Sequence, residues 1–216
     1  MTENVRRTLS FVKESLDRSP WFEKYPSDGL YRWEHTLRVA HIGAEIARRE
    51  GLDEEALTIA CLLHDVAYCK EFPEGGWNEH GRLSAAIARP FLDTLSLSKQ
   101  AKADILYGVA IHVDDKADFE GERTTTALSV ADADNIDRFG VLRIYDTMRY
   151  AGFYEMSLEE KLTWTKKRIS ALERLRPIDF ATESAKAMWL DNIDYQTDFF
   201  TRLLRQLEES TTPEEF

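Results

Sequence analysis

Long apolar runs are missing from this chain of 216 residues. No stretch approaches the roughly 18 to 20 consecutive apolar residues that a membrane-spanning helix needs. The first residues alternate charged with apolar side chains and lack the apolar core of a signal peptide. We therefore expect no membrane partner and a cytoplasmic location.

Cysteine and positive charge are also scarce. The two cysteines, Cys61 and Cys69, are too few and too close for a disulfide framework, and we predict reduced thiols. The chain has 28 Lys and Arg against 39 Asp and Glu, a formal net charge of -11, so a nucleic-acid duplex is a poor partner. A small phosphorylated molecule stays open, because a metal ion and a few cationic side chains can hold a phosphate locally.

Strand-like alternation between turns is absent as well, and helical periodicity dominates. Gly51 is a good helix stop, and Asp53 is a good cap for the apolar helix that follows. We predict an all-α fold, with residues 1–216 as one domain and residues 157–216 as its C-terminal helical extension. The pattern predicts helices at about 3–17, 31–50, 54–67, 78–95, 98–112, 124–138, 157–176 and 180–208, with loops at 20–29, 72–77 and 114–123.

Five histidines are present, and four of them lie on apolar faces of four different predicted helices. A buried imidazole needs a partner, and a metal ion can serve several imidazoles at once. Inward-pointing His and acidic side chains on separate helices are how a helical bundle builds a metal site. The four are His35, His64, His80 and His112, whereas His41 falls on the flank of its helix.

The adjacent pair His64-Asp65 and an acidic segment supply the carboxylates. Neighbours on a regular helix point about 100° apart, so the pair would grip an ion from two sides or let the carboxylate bridge two ions. In the second segment, Asp134 and Asp137 share one face, whereas Asp132 faces elsewhere. We expect Asp134 to be the ligand, Asp137 to orient a histidine or a water from behind, and Asp132 to be a cap or a solvent-facing acid.

The order His35, His64-Asp65, Asp134 resembles the H…HD…D signature of the HD superfamily of metal-dependent phosphohydrolases. The surrounding segments HTLRVAHIGAEIA, ALTIACLLHDVAYCKEF and ALSVADADNIDRFG fit as well. The resemblance covers residues 31–150 and is closest to small stand-alone bacterial HD hydrolases.

The resemblance implies a helical HD-domain bundle that holds a divalent metal through His35, His64, Asp65 and Asp134. Some family members bind two ions, which makes His80 and His112 candidates for a second ion or for contacts with a substrate phosphate. A mixed nitrogen and oxygen donor set suits Mn, Fe, Ni, Zn or Co and does not select among them.

The expected reaction is hydrolysis of a phosphomonoester or phosphoanhydride, with a nucleotide as one candidate, by a metal-activated water. Arg38 and Lys70 are candidates for holding the phosphate, and Asp65 could act partly as a base. Two alternatives stay open: a di-iron oxygenase of the same fold, and a non-catalytic module that retains its metal for structure. Self-association into a homo-oligomer also stays open.

Overall fold

The protein, analysed as a computed structural model, is described over residues 1–72, 76–115 and 118–210. Of the described residues, 78% are helical and none lies in a strand, so the all-α prediction is confirmed. The α-helices are α1 (Glu3–Asp17), α2 (Pro20–Lys24), α3 (Pro26–Glu50), α4 (Glu54–Leu63), α5 (His80–Asp93), α6 (Lys99–Ile111), α7 (Thr125–Arg138), α8 (Leu142–Tyr150), α9 (Leu158–Leu175) and α10 (Glu183–Glu208). Short 3₁₀ helices occur at Val66–Cys69, Gly76–Glu79 and Phe153–Glu155.

Two helices begin inside the segment that was predicted to be a loop. Pro20 is the first residue of α2 and Pro26 is the first residue of α3, so α3 starts five residues earlier than predicted. Proline is well suited to the first helical position, because its missing N–H would have no partner there and its backbone angle is already helical. The prolines therefore mark helix starts as well as chain turns.

Helix α4 forms the centre of the core that carries the site. It is apolar on nearly all sides, which is typical of a helix surrounded by others. It packs against α1, α3 and α6. Gly43 of α3 permits this approach, because a Cβ atom there would lie 2.5 Å from the Sγ atom of Cys61. The burial of α4 explains why the residues that follow its last turn are also buried.

The chain divides into two compact units. Unit 1 comprises Met1–Asp137 and Phe180–Ala185, and unit 2 comprises Arg138–Asp179 and Lys186–Phe216. Unit 2 contains an aromatic cluster in which the rings of Phe153 and Trp164 meet edge to face with centroids 5.1 Å apart. The interpretation as a single domain with a C-terminal extension stays a prediction.

Some predicted features fall outside the described residues. Parts of the predicted loops, 73–75 and 116–117, and the C-terminal residues 211–216 are among them. In the described ranges, no helix combines the length and the apolar character needed to cross a membrane.

Candidate metal centre

The pair His64-Asp65 lies directly after the end of α4. The positions of its two side chains therefore depend on how this helix ends. The α-helix stops at Leu63, and Asp65 has φ -110° and ψ 15°, outside the regular helical conformation. The Nε2 atom of His64 consequently lies 3.3 Å from the Oδ2 atom of Asp65. The sequence argument assumed a regular helix through both residues, and the structure ends the helix before them. That the pair grips an ion from two sides, or bridges two ions through its carboxylate, stays a prediction.

Four ligand-type atoms converge at this point, and we call them site A. The Nε2 atom of His35 lies 3.2 Å from Asp134 Oδ1 and 3.3 Å from His64 Nε2. Asp65 Oδ2 lies 3.6 Å from His35 Nε2 and 3.3 Å from His64 Nε2. Ligands bonded at about 2.1 Å to one ion lie about 3.0–3.5 Å apart in octahedral or tetrahedral arrangements. Three of the distances in site A fall in this range, and the two widest, 3.6 Å for His35 with Asp65 and 3.9 Å for His64 with Asp134, would need only a small contraction around one ion.

The orientation of the imidazole rings also favours an ion. The Nδ1 atom of His64 lies 2.7 Å from the carbonyl oxygen of Cys61, which can only accept, so Nδ1 carries the proton. In the neutral ring this leaves a lone pair on Nε2, directed into site A. His35 is held in the same way, with Nδ1 2.7 Å from Asp137 Oδ2. Such outer partners fix the tautomer and orientation of metal-binding histidines.

The other carboxylate oxygen of Asp65 belongs to a second group of atoms, which we call site B. The Oδ1 atom of Asp65 lies 3.2 Å from His80 Nε2 and 3.7 Å from His112 Nε2. The two imidazole nitrogens are 3.1 Å apart. His112 Nδ1 donates to the carbonyl oxygen of Val109, so its Nε2 also presents a lone pair when the ring is neutral. The structure thus brings together four of the five histidines, while His41 is exposed.

Asp65 Oδ1 is a buried acceptor that has no hydrogen-bond partner within the described ranges. A buried acceptor without a partner is costly, particularly on a charged group. Of its neighbours in site B, the Nε2 atom of His112 carries a lone pair rather than a proton when that ring is neutral. A cation between these three atoms would satisfy all of them.

The charges around site A favour a cation. Burial alone would raise the pKa of Asp65, but the neighbouring Arg32 and His64 hold that pKa well below its ordinary value. Burial alone would lower the pKa of His35, but the carboxylates of Asp134 and Asp137 raise it to about 9. Asp134 likewise has a lowered pKa, because His35 and His64 outweigh its burial. Both carboxylates are therefore ionised near neutral pH, which makes this buried position attractive to a positive charge.

The predicted supporting residues lie in different places. Asp137 contacts the Nδ1 side of His35 and forms a two-point ion pair with Arg38, with Nε 2.7 Å from Oδ1 and Nη2 3.2 Å from Oδ2. Arg38 is thus engaged behind His35, on the side away from Nε2. Lys70 ends the 3₁₀ helix and is exposed, and its side chain forms no ion pair with any residue that the structure describes. Roles for Arg38 and Lys70 in phosphate binding stay predictions.

Two residues at the site were missed from the sequence. Arg32 Nη1 contacts Asp65 Oδ2, and the guanidinium lies 3.6 Å from the centre of the Tyr68 ring. The ring of Tyr68 lies 5.3 Å from that of His80. Arg32 precedes His35 by three residues and Arg38 follows it by three, so helical spacing treats the two arginines alike and could not choose between them.

Asp132 was expected either to cap a helix or to face solvent. The structure contradicts the solvent-facing alternative. Its side chain is buried, and its Oδ2 atom accepts the backbone N–H of Ala181 at 2.8 Å. Burial raises its pKa to about 6 and outweighs the hydrogen bond from Ala181, which lowers it. The pKa of Asp134 shifts in the opposite direction, so the two carboxylates on α7 lie in electrostatically different surroundings.

The donor sets suit a divalent metal ion. His35, His64 and Asp134 offer ligand atoms that all lie within 4.8 Å of one another, and so do His64, Asp65 and His112. Neutral imidazole and carboxylate oxygen are ligands for Mn, Fe, Co, Ni and Zn. The residues present therefore fit a divalent metal, whose identity the donor set leaves open.

The sequence of this chain also matches a known protein family. The family model described as HD domain matches residues 32–138, which include every residue of sites A and B. Residues 32–138 of this chain are an HD domain. Comparison with curated proteins gives no significant match.

Solved structures of HD-superfamily proteins share the fold. A protein from an uncultured Thermotogales bacterium, called a predicted HD superfamily hydrolase, is 24% identical with a TM-score of 0.65; the match covers 93% of this chain and 91% of that one. A Bacillus thuringiensis protein, called an HD-superfamily hydrolase, is 20% identical with a TM-score of 0.65, covering 95% and 97%. These similarities extend the HD-type fold along nearly the whole chain.

Proposed function

We propose that this HD-domain protein is a metal-dependent phosphohydrolase that cleaves a phosphomonoester or a phosphoanhydride, with nucleotides among the candidate substrates. We further propose that it holds two divalent ions, one in site A and one in site B. The names of the two structural relatives, both called hydrolases, support the reaction class.

The observation that carries the proposal is the position of the Asp65 carboxylate. Its Oδ2 atom belongs to site A and its Oδ1 atom belongs to site B. A carboxylate shared in this way can bridge two ions, an arrangement that suits in-line displacement at phosphorus. Bound ions would supply charge neutralisation and a water of lowered pKa.

Arg32 is the side chain best placed to hold a substrate phosphate. It is largely buried beside Asp65, and Tyr68 supports the plane of its guanidinium. A guanidinium has five N–H donors, and the contact of Nη1 with Asp65 leaves donors for phosphate oxygens. Arg32 would thus bind the substrate next to the ligands.

The remaining residues orient the ligands. Asp137 and the carbonyl oxygens of Cys61 and Val109 engage the Nδ1 atoms of three histidines. The Nε2 atom of each of these rings is therefore directed inward before any ion binds, which lowers the cost of assembling the centre.

The test is a substrate screen on purified protein that has been stripped of metal and then reloaded separately with Mn, Fe, Co, Ni or Zn. We expect release of phosphate or pyrophosphate from at least one phosphate ester or nucleotide, and we expect His64→Ala to abolish it. Iron-specific turnover that consumes oxygen would instead favour the di-iron oxygenase. Full metal content without turnover of any ester would favour the non-catalytic module.

A paired experiment assigns the phosphate contact. We expect Arg32→Gln to raise KM for the substrate at least tenfold while metal content is retained, whereas Arg38→Gln should act mainly through the orientation of His35. If KM rises in Arg38→Gln or Lys70→Gln and does not change in Arg32→Gln, the substrate phosphate is bound by the residues predicted from the sequence and not by Arg32.

A further inference from the structure

Unit 2 contains two arginines without acidic partners. Arg143 of α8 and Arg168 of α9 form no ion pair with any residue that the structure describes, and the Nε atom of each is buried without a hydrogen-bond acceptor. Other arginines of unit 2 are paired: Arg176 contacts Asp194, and Arg202 lies 2.8 Å from Asp198. Among the arginines that the structure describes, a buried Nε atom without an acceptor distinguishes Arg143 and Arg168.

The two arginines belong to one connected group. Arg168 Nη2 donates to Gln196 Oε1 at 2.8 Å, and Gln196 Nε2 donates to the carbonyl oxygen of Phe139 at 2.5 Å. The guanidinium of Arg143 lies 5.6 Å from the centre of the Phe139 ring. Burial lowers the pKa of Arg168, and the positive charge of Arg143 lowers it further. Two like charges are thus held close together in a partly buried place.

Two threonine hydroxyls on the neighbouring helices are also unsatisfied. Thr147 and Thr197 have buried Oγ1 atoms without partners. Helical threonines elsewhere in the chain, such as Thr8 and Thr165, donate to the carbonyl oxygen four residues earlier. Thr147 lies one turn after Arg143 on the same face of α8, and Thr197 directly follows Gln196, the partner of Arg168. Each unused donor therefore lies within one helical turn of a member of the arginine group.

We propose that Arg143 and Arg168, with the hydroxyls of Thr147 and Thr197, form a binding site for a tetrahedral oxyanion, either inorganic phosphate or the phosphoryl group of a small molecule. One such anion would neutralise both guanidinium groups and accept from the buried Nε–H donors, which planar guanidinium groups offer to oxyanions in pairs. A carboxylate of the chain would have been the ordinary partner, and none is paired here among the described residues. The proposal stands independently of catalysis at sites A and B.

The experiment measures binding in a background that lacks the metal centre. His64→Ala protein is titrated calorimetrically with inorganic phosphate and, separately, with a phosphomonoester, which it should not hydrolyse. We expect about one equivalent of the anion to bind, and we expect Arg143→Gln or Arg168→Gln in the same background to weaken binding at least tenfold. Arg202→Gln, which removes an exposed and paired arginine, should leave the affinity unchanged.

Two further measurements keep the outcome clear if a variant folds poorly. Arg143→Lys keeps the charge and loses the planar fork, so an intermediate affinity is expected. In the native protein, sulfate should raise Tm more than chloride at equal ionic strength, and this difference should disappear in Arg168→Gln. Absence of phosphate binding by His64→Ala, or binding that neither arginine variant weakens, would overturn the proposal. Preference for the phosphomonoester over free phosphate would identify a phosphorylated metabolite as the ligand.

Discussion

Site A and site B share one carboxylate yet differ in how firmly their ligands are held. In site A, both histidines are buried, each has an outer partner on Nδ1, and Asp134 adds a second carboxylate. Site B combines the other oxygen of Asp65 with His112 and with His80, whose side chain is 15% exposed. We therefore expect site A to bind its proposed ion more tightly than site B, because it has more negative charge and better-fixed ligands.

Removal of the shared carboxylate should have the largest effect. We expect Asp65→Ala to lose metal from both sites and to lower kcat by at least about a thousandfold, since metal-ion stabilisation is worth several kcal/mol. Metal analysis and phosphate release on the same samples measure both effects. Retention of one tightly bound ion would show that the two sites do not depend on a common bridge.

Site A can be tested alone through the two faces of α7. We expect Asp134→Asn to lose the ion of site A and to reduce activity by about a hundredfold or more, because a neutral amide replaces a charged ligand. Asp132→Asn, two residues away and bonded to Ala181, is the matched control and should keep metal and activity. The reverse result would assign the ligand to the other face of α7.

Site B should respond more mildly. We expect His80→Ala to lower the metal content by about one ion while site A remains occupied, with a loss of activity that added metal partly restores. His35→Ala should lose its ion irrespective of added metal. Equal losses in both variants would contradict the proposed difference in affinity.

A smaller effect is expected at Asp137, which contacts the Nδ1 atom of His35 outside site A. We expect Asp137→Asn to weaken metal binding or activity about 10- to 100-fold, the usual effect of altering a group that orients a metal-bound histidine. Competition with a chelator measures the change in affinity. An unchanged affinity would mean that Asp137 serves the ion pair with Arg38 and does not tune His35.

The smallest effect concerns stability. A folded-state pKa of about 6 at Asp132, above the usual value near 4, means that the folded state favours the protonated form. This contribution is present below about pH 4 and is lost as pH rises through about 6, by on the order of 3 kcal/mol. Asp132→Asn should therefore gain relative stability between pH 4.5 and 7 in urea unfolding of the metal-free proteins. A pH-independent difference would contradict the raised pKa.

The sequence by itself determined the helical class and the main candidates. Helical periodicity with caps such as Asp53 predicted most helices, because these signals are local. Apolar-face histidines on separate helices indicated that a common partner was needed, and Asp134 and Asp137 were both expected on one face of α7. The structure places those two carboxylates on opposite nitrogens of His35.

Only the tertiary structure decided how these residues meet. The end of α4 at Leu63 turns Asp65 toward His64, and no sequence period shows where a buried helix stops. Packing of α3 against α4 placed Arg32 at the carboxylate and Arg38 behind His35, although both are three residues from that histidine. Spacing along one helix specifies a face, whereas distances between helices depend on packing across the core, and the metal centre is built from such distances.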